Sequence, residues 1–98
     1  MTVRVLLTRE QRQYWVQEQH LPRSRAERIA FRARVRDLVE PMEGAGGDGL
    51  SAAAQRYSPT EGASFATFAR LCVDRAIFHF LRLEHRHRNL HLAGYVVA

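Results

Sequence analysis

The sequence predicts a small all-α protein: a bundle of about four helices that ends in one long C-terminal helix. Three observations predict it. After Gly62 the chain runs for more than twenty residues without Pro or Gly, and its apolar residues recur at spacings of three and four. Upstream, Thr8 and Ser24 stand as capping residues ahead of further apolar-periodic segments. Between the periodic segments lie turn signals, Gly44-Ala-Gly-Gly-Asp-Gly49 and Tyr57-Ser-Pro-Thr-Glu-Gly62. At 98 residues the chain is expected to be a single helical domain, 1–98, with a modest core.

Residues 1–7, Met-Thr-Val-Arg-Val-Leu-Leu, are either a short extended piece or a frayed lead-in. Thr8 caps a first helix over 8–20, with Tyr14, Trp15 and Val16 as its apolar content and Trp15 as a core anchor. Leu21-Pro22 ends it. Ser24-Arg-Ala-Glu27 has the spacing of a capping box and opens a second helix over 25–41. That helix carries Ala26, Ile29, Ala30, Ala33, Val35 and Leu38 among arginines, and Pro41 stops or kinks it. The glycine-rich stretch lacks the Gly-Lys-Ser/Thr ending of a P-loop and the preceding strand of a dinucleotide fold, so it reads as a flexible hinge. A short third helix, 48–57, turns Leu50, Ala53, Ala54 and Tyr57 inward.

The fourth helix, 64–89, is capped by Ser64. Its expected buried stripe is Phe65, Phe68, Ala69, Cys72, Val73, Ala76, Phe80 and Leu83. At about 100° per residue, Thr67, Leu71, Arg75, Phe78 and Arg82 gather on a second face, where large apolar groups alternate with guanidinium groups. Such a face is either an Arg-flanked contact with a neighbouring helix or a strip that holds a phosphate backbone while apolar groups meet unpaired bases. Periodicity leaves both open.

All fifteen basic residues are Arg, against ten acidic residues, for a net charge of +5 and a pI near 10.6. This permits a polyanionic partner without proving one, because the absence of Lys and the abundance of Ala also fit a GC-rich genome. Cys72 is the sole cysteine, so no internal disulfide forms, and its place in the apolar stripe suggests a reduced thiol. No apolar run reaches the length of a membrane span and no secretory leader is visible, so the expected location is cytoplasmic, with no membrane partner. His87 and His91 have the i, i+4 spacing of a metal pair, but too few further ligands accompany them, and neither metal nor cofactor is expected. No nucleophile–His–acid set or carboxylate pair appears, so the chain does not read as an enzyme.

Gly49-Leu-Ser-Ala-Ala-Ala-Gln-Arg-Tyr-Ser-Pro59 followed by Gly62-Ala-Ser-Phe-Ala-Thr-Phe-Ala69 resembles the second conserved region of bacterial RNA polymerase sigma factors. The continuation Phe-Ala-Arg-Leu-Cys-Val-Asp-Arg75 and the tail His91-Leu-Ala-Gly-Tyr-Val96 are most similar to the sporulation and stationary-phase sigma-H type. The likeness runs without gaps over about 49–98, and the helices over 8–43 diverge. It implies a sigma region-two-like fold, a transcription-initiation role, and RNA polymerase core, through the clamp helices of its largest subunit, as partner. It also implies contact with the non-template strand of the −10-type promoter element. By this resemblance Phe68 stands where the family stacks a Tyr on the flipped base, with Thr67 as its polar neighbour and Phe65 as an aromatic beside it. Leu71 and Cys72 replace paired tryptophans of housekeeping factors. Arg75 takes a Gln position that helps read the duplex edge, Phe78 replaces a Thr used likewise, and Arg82, Arg86 and Arg88 would hold phosphates.

The family's polymerase-docking helix reads Asp-Leu-x-Gln-Glu-Gly-x-x-Gly-Leu. Here Asp37-Leu-Val-Glu40 is separated from Gly49-Leu50 by about four extra residues, including Pro41, so an unbroken docking face is not expected. Asp37, Glu40 and Glu43 remain the candidates for polymerase contact. Since whole sigma factors continue into a helix-turn-helix domain, the expectation is a stand-alone region-two module or co-sigma working with a separate promoter-reading subunit. The alternative is a protein-interaction module without DNA contact: a decoy, an anti-sigma-like regulator, or a helical dimer joined through Leu71, Ile77, Phe78 and Leu81.

Overall fold

The computed structural model describes residues 6–97, with side-chain surroundings up to position 87 apart from 61. It is all-helical among these residues: α1 (Arg9–Gln17), α2 (Leu21–Ala33), a 3-10 turn (Arg36–Leu38), α3 (Val39–Arg56), a second 3-10 turn (Pro59–Glu61) and α4 (Phe65–Val97). Helices α2, α3 and α4 pack into a bundle, and α1 leans on α3.

Thr8 caps α1 as expected, in a reciprocal box with Gln11. The Gln11 amide donates to Thr8 Oγ1 at 3.2 Å and the Thr8 amide to Gln11 Oε1 at 2.9 Å. The next boundary differs from expectation. Leu21-Pro22 opens α2 rather than closing α1, because Pro in a first turn forfeits no intrahelical bond. The Ser24–Glu27 capping box therefore does not form: Ser24 lies inside α2 with its Oγ donating to Leu21 O, and Glu27 pairs with Arg23 at 2.6 Å. The helix stops at Ala33, short of Pro41. Arg34 turns left-handed at φ 59°, its amide donates to Phe31 O, and the Val35 amide reaches back to Ala30 O at 2.9 Å. These are the two bonds of a Schellman stop, built on an arginine where glycine is usual.

The largest correction concerns the glycine-rich segment. It is no hinge; it is the middle of α3, which runs unbroken from Val39 to Arg56 with Pro41 in its first turn. Gly46 and Gly49 are where the neighbouring helices come closest. A Cβ on Gly49 would sit 2.7 Å from Cys72 O and 2.9 Å from Ala76 Cβ, and one on Gly46 would lie 3.2 Å from Pro22 Cα and 3.3 Å from Ile77 Cδ1. With these glycines counted as contact positions, Met42, Gly46, Gly49, Leu50, Ala53 and Ala54 form a regular buried stripe.

Against it α4 buries Phe65, Ala69, Val73 and Ile77, while α2 contributes Leu21, Ala26, Ile29 and Ala30. Ile77, expected outside the stripe, is fully buried, and Leu83, expected inside it, is exposed. The buried line follows i, i+4 steps toward Gly46, so it drifts away from the Phe68–Leu83 edge. Trp15 is half-buried and packs on the core, as does Tyr14.

Candidate nucleic-acid interface

The start of α4 is held by a chain of local contacts. Gly62 takes φ 89°, Tyr57 Oη donates to Ala63 O at 2.8 Å, and Ser64 Oγ accepts the Thr67 amide at 3.2 Å, the expected N-cap. Four rings gather behind this turn. Tyr14 lies 4.8 Å from Phe65 and 5.0 Å from Tyr57, with Tyr57 5.9 Å from Phe68 between centroids. Within the group the two phenylalanines part company. Phe65 is 3 % exposed and is a core residue, which is the packing reading of that position rather than a ring offered to a base. Phe68 is half-buried, with one side against Tyr57 and the other toward solvent.

Beyond Phe68, the second face of α4 turns outward. Thr67, Leu71, Arg75, Phe78 and Arg82 are all exposed, with half of Phe78 and nearly half of Leu71 in solvent. Phe78 and Leu81 floor a shallow depression rimmed by Arg75, Arg82 and His85. Arg75, Arg82 and Arg86 carry no ion pair among the described residues. Burial pushes the Cys72 thiol up, opposed by the charges of Arg75 and Arg56. Such a surface combines unpaired cations with exposed apolar area, the elements that hold phosphates and stack or wedge bases. The side chain of Arg88 lies outside the described residues, as does His91.

The acidic candidates lie elsewhere. Asp37 in the 3-10 turn and Glu40 in the first turn of α3 line a depression with Arg23, Glu27, Phe31, Arg36, Val39 and Pro41. Glu43, a turn further on, receives a 3.1 Å bond from Arg23. Because α3 is continuous, Glu40 and Glu43 share one helix with Gly49 and Leu50, while Asp37 lies ahead of it in the 3-10 turn and Glu40, nine residues from Gly49, is on the opposite side of the helix.

Sequence reasoning missed two features here. Phe31 is 63 % exposed, with the Arg36 guanidinium 4.9 Å over its ring, and it carries no signal because it sits among the arginines of α2. Arg25 donates to both carboxylate oxygens of Asp74, at 2.7 and 3.0 Å, in a half-buried pair that ties α2 to α4. Among the described residues no three metal-ligating side chains come together, and no helix is long and apolar enough to cross a membrane. No protein-family model, curated protein or solved structure matches the chain.

Proposed function

We propose that this protein is a transcription-initiation module similar to sigma region two, binding RNA polymerase core and the non-template strand of a −10-type promoter element. The observation that carries the reading is the outer face of α4. Thr67, Leu71, Arg75, Phe78 and Arg82 are exposed together, with Phe68 half-open at the upstream end beside Tyr57. Phe68 stacks on a flipped base, Thr67 supplies a polar contact, and Arg75, Arg82, Arg86 and Arg88 neutralise phosphates. The unbroken α3, with Glu40 and Glu43 in its first turns, supports docking on the polymerase clamp helices, with Asp37 just ahead of it.

A pull-down on core polymerase combined with a promoter-melting assay tests the reading. Stacking of one base on an aromatic ring contributes about 1–3 kcal/mol, so Phe68→Ala is expected to weaken opening about tenfold or more with polymerase binding intact. Normal melting by that variant removes the stacking role. A second reading, a helical dimer, has Leu71 and Phe78 in its favour, since both keep large apolar areas in water. Sedimentation of the free chain decides it: a monomer at micromolar concentration excludes the dimer.

A further inference from the structure

Phe31 is the most exposed aromatic ring among the described residues, on the side of α2 opposite to buried Ala26, Ile29 and Ala30. It borders three shallow depressions. One is shared with Arg28 and Arg32, one with Arg32, Arg34 and Arg36, and one with Arg36, Asp37 and Glu40. Arg28, Arg32 and Arg34 are exposed and make no ion pair among the described residues. The carboxylates nearby leave them uncancelled, because Glu27 is bonded to Arg23 at 2.6 Å and Asp37 is engaged as well. The result is a large apolar knob beside three guanidinium groups that still lack a counter-charge.

Aromatic rings and arginines are the side chains that protein interfaces concentrate at their centres, and the charge left over calls for a partner bearing anions. Two observations favour a protein over a nucleic acid. The Arg36 guanidinium stands over the Phe31 ring at 4.9 Å, which leaves one face fewer for a stacked base. Glu27, Asp37 and Glu40 line the same depressions, where they repel a run of phosphates but accept hydrogen bonds from a protein. Arg28 and Arg32 are four residues apart, about 6 Å along α2, and carboxylates four residues apart on a partner helix repeat at the same distance. We propose that Phe31, Arg28, Arg32 and Arg34 form a docking surface for an acidic amphipathic helix of another protein. Its apolar side chains pack on the ring and its carboxylates pair with the arginines. This surface uses none of the residues assigned to the opened strand and does not rest on the proposed function.

Amide chemical-shift mapping of the isotope-labelled full chain tests this with three probes. They are a helical peptide whose leucines are flanked by glutamates four residues apart, the same peptide with lysine for glutamate, and a single-stranded oligonucleotide. The acidic peptide is expected to shift Arg28, Phe31, Arg32 and Arg34 at micromolar to millimolar concentration, and the lysine peptide to leave them unmoved. Phe31→Ala and Arg28→Ala/Arg32→Ala should each weaken acidic-peptide binding at least about fivefold. Arg28→Glu/Arg32→Glu should exchange the preference for the lysine peptide, which a merely damaged fold would not do. Acidic-peptide shifts that fall on residues 75–82, or on none, overturn the inference, as does a Phe31→Ala variant that binds unchanged. An oligonucleotide that moves the same four residues at lower concentration than the peptide assigns the surface to nucleic acid and overturns it too. None of these outcomes depends on promoter melting through Phe68, so the proposed function stands or falls separately. Circular dichroism and thermal melting of the variants establish that they fold.

Discussion

At the scale of single residues, Arg34 is the one non-glycine position with a positive φ among the described residues. It ends α2 in the left-handed region, where a Cβ crowds the following carbonyl. Arg34→Gly relieves that crowding while keeping the two amide bonds of the helix stop, so it is expected to raise stability by about 1 kcal/mol in chemical denaturation. Cys72 gives a pH-dependent counterpart. Its thiol is held above the ordinary range, so the folded state favours the protonated form. That contribution is present below the unfolded thiol pKa and is lost as pH rises through the folded one. Alkylation of native Cys72 should therefore titrate at higher pH than alkylation of the unfolded chain, and coincident profiles would contradict the burial argument.

At the scale of elements, α3 decides the architecture. Its glycines divide into two kinds. Gly49 faces the backbone of α4 so closely that Gly49→Ala forces the helices apart, at about 1–3 kcal/mol of stability. Gly47 faces open space, so Gly47→Ala should instead stabilise by about 0.5–1 kcal/mol through helix propensity alone. Thermal melts of the two variants should shift in opposite directions; a loss in both would mean that the helix is not packed as described. The Arg25–Asp74 pair is the cross-tie between α2 and α4. Since both side chains are mostly shielded, Asp74→Ala should cost about 1–2 kcal/mol, between the values for exposed and buried pairs.

The same element shows why the sequence was legible in one place and misleading in another. Thr8 and Ser64 could be read as caps because a cap is a short-range contact between a side chain and an amide three residues on. The outer face of α4 could be read for a similar reason, since one helical period sorts Thr67, Leu71, Arg75, Phe78 and Arg82 from the core side. Gly46 and Gly49 could not. Locally a glycine weakens a helix, and its value appears only when Cys72, Ala76 and Ile77 arrive from distant sequence to occupy the missing Cβ. Ile77 was misplaced for the related reason that the crossing of α3 selects which edge of an apolar helix is sealed. From sequence alone Pro22 signals a stop and Pro41 a stop or kink, although a proline in a first turn equally well begins a helix.

At the scale of the whole molecule, charge and shape divide the surface. Among the described residues, Arg75, Arg82 and Arg86 on α4 make no ion pair, whereas Asp37 and Glu40 line a depression with Arg23 and Arg36 where α2 hands over to α3, and Glu43 bonds Arg23. A net charge of +5 then assists encounter with a polyanion, and the effect must fade as salt is added. The central claim is that the outward face of α4 receives an opened DNA strand. Amide chemical-shift mapping of the isotope-labelled chain, titrated with a single-stranded −10-type oligonucleotide, tests it most directly. The account predicts shifts along Thr67, Phe68, Leu71, Arg75, Phe78 and Arg82, with Asp37, Glu40 and Glu43 unmoved. Shifts confined to the Phe31–Glu40 side, or none at millimolar DNA, would contradict it.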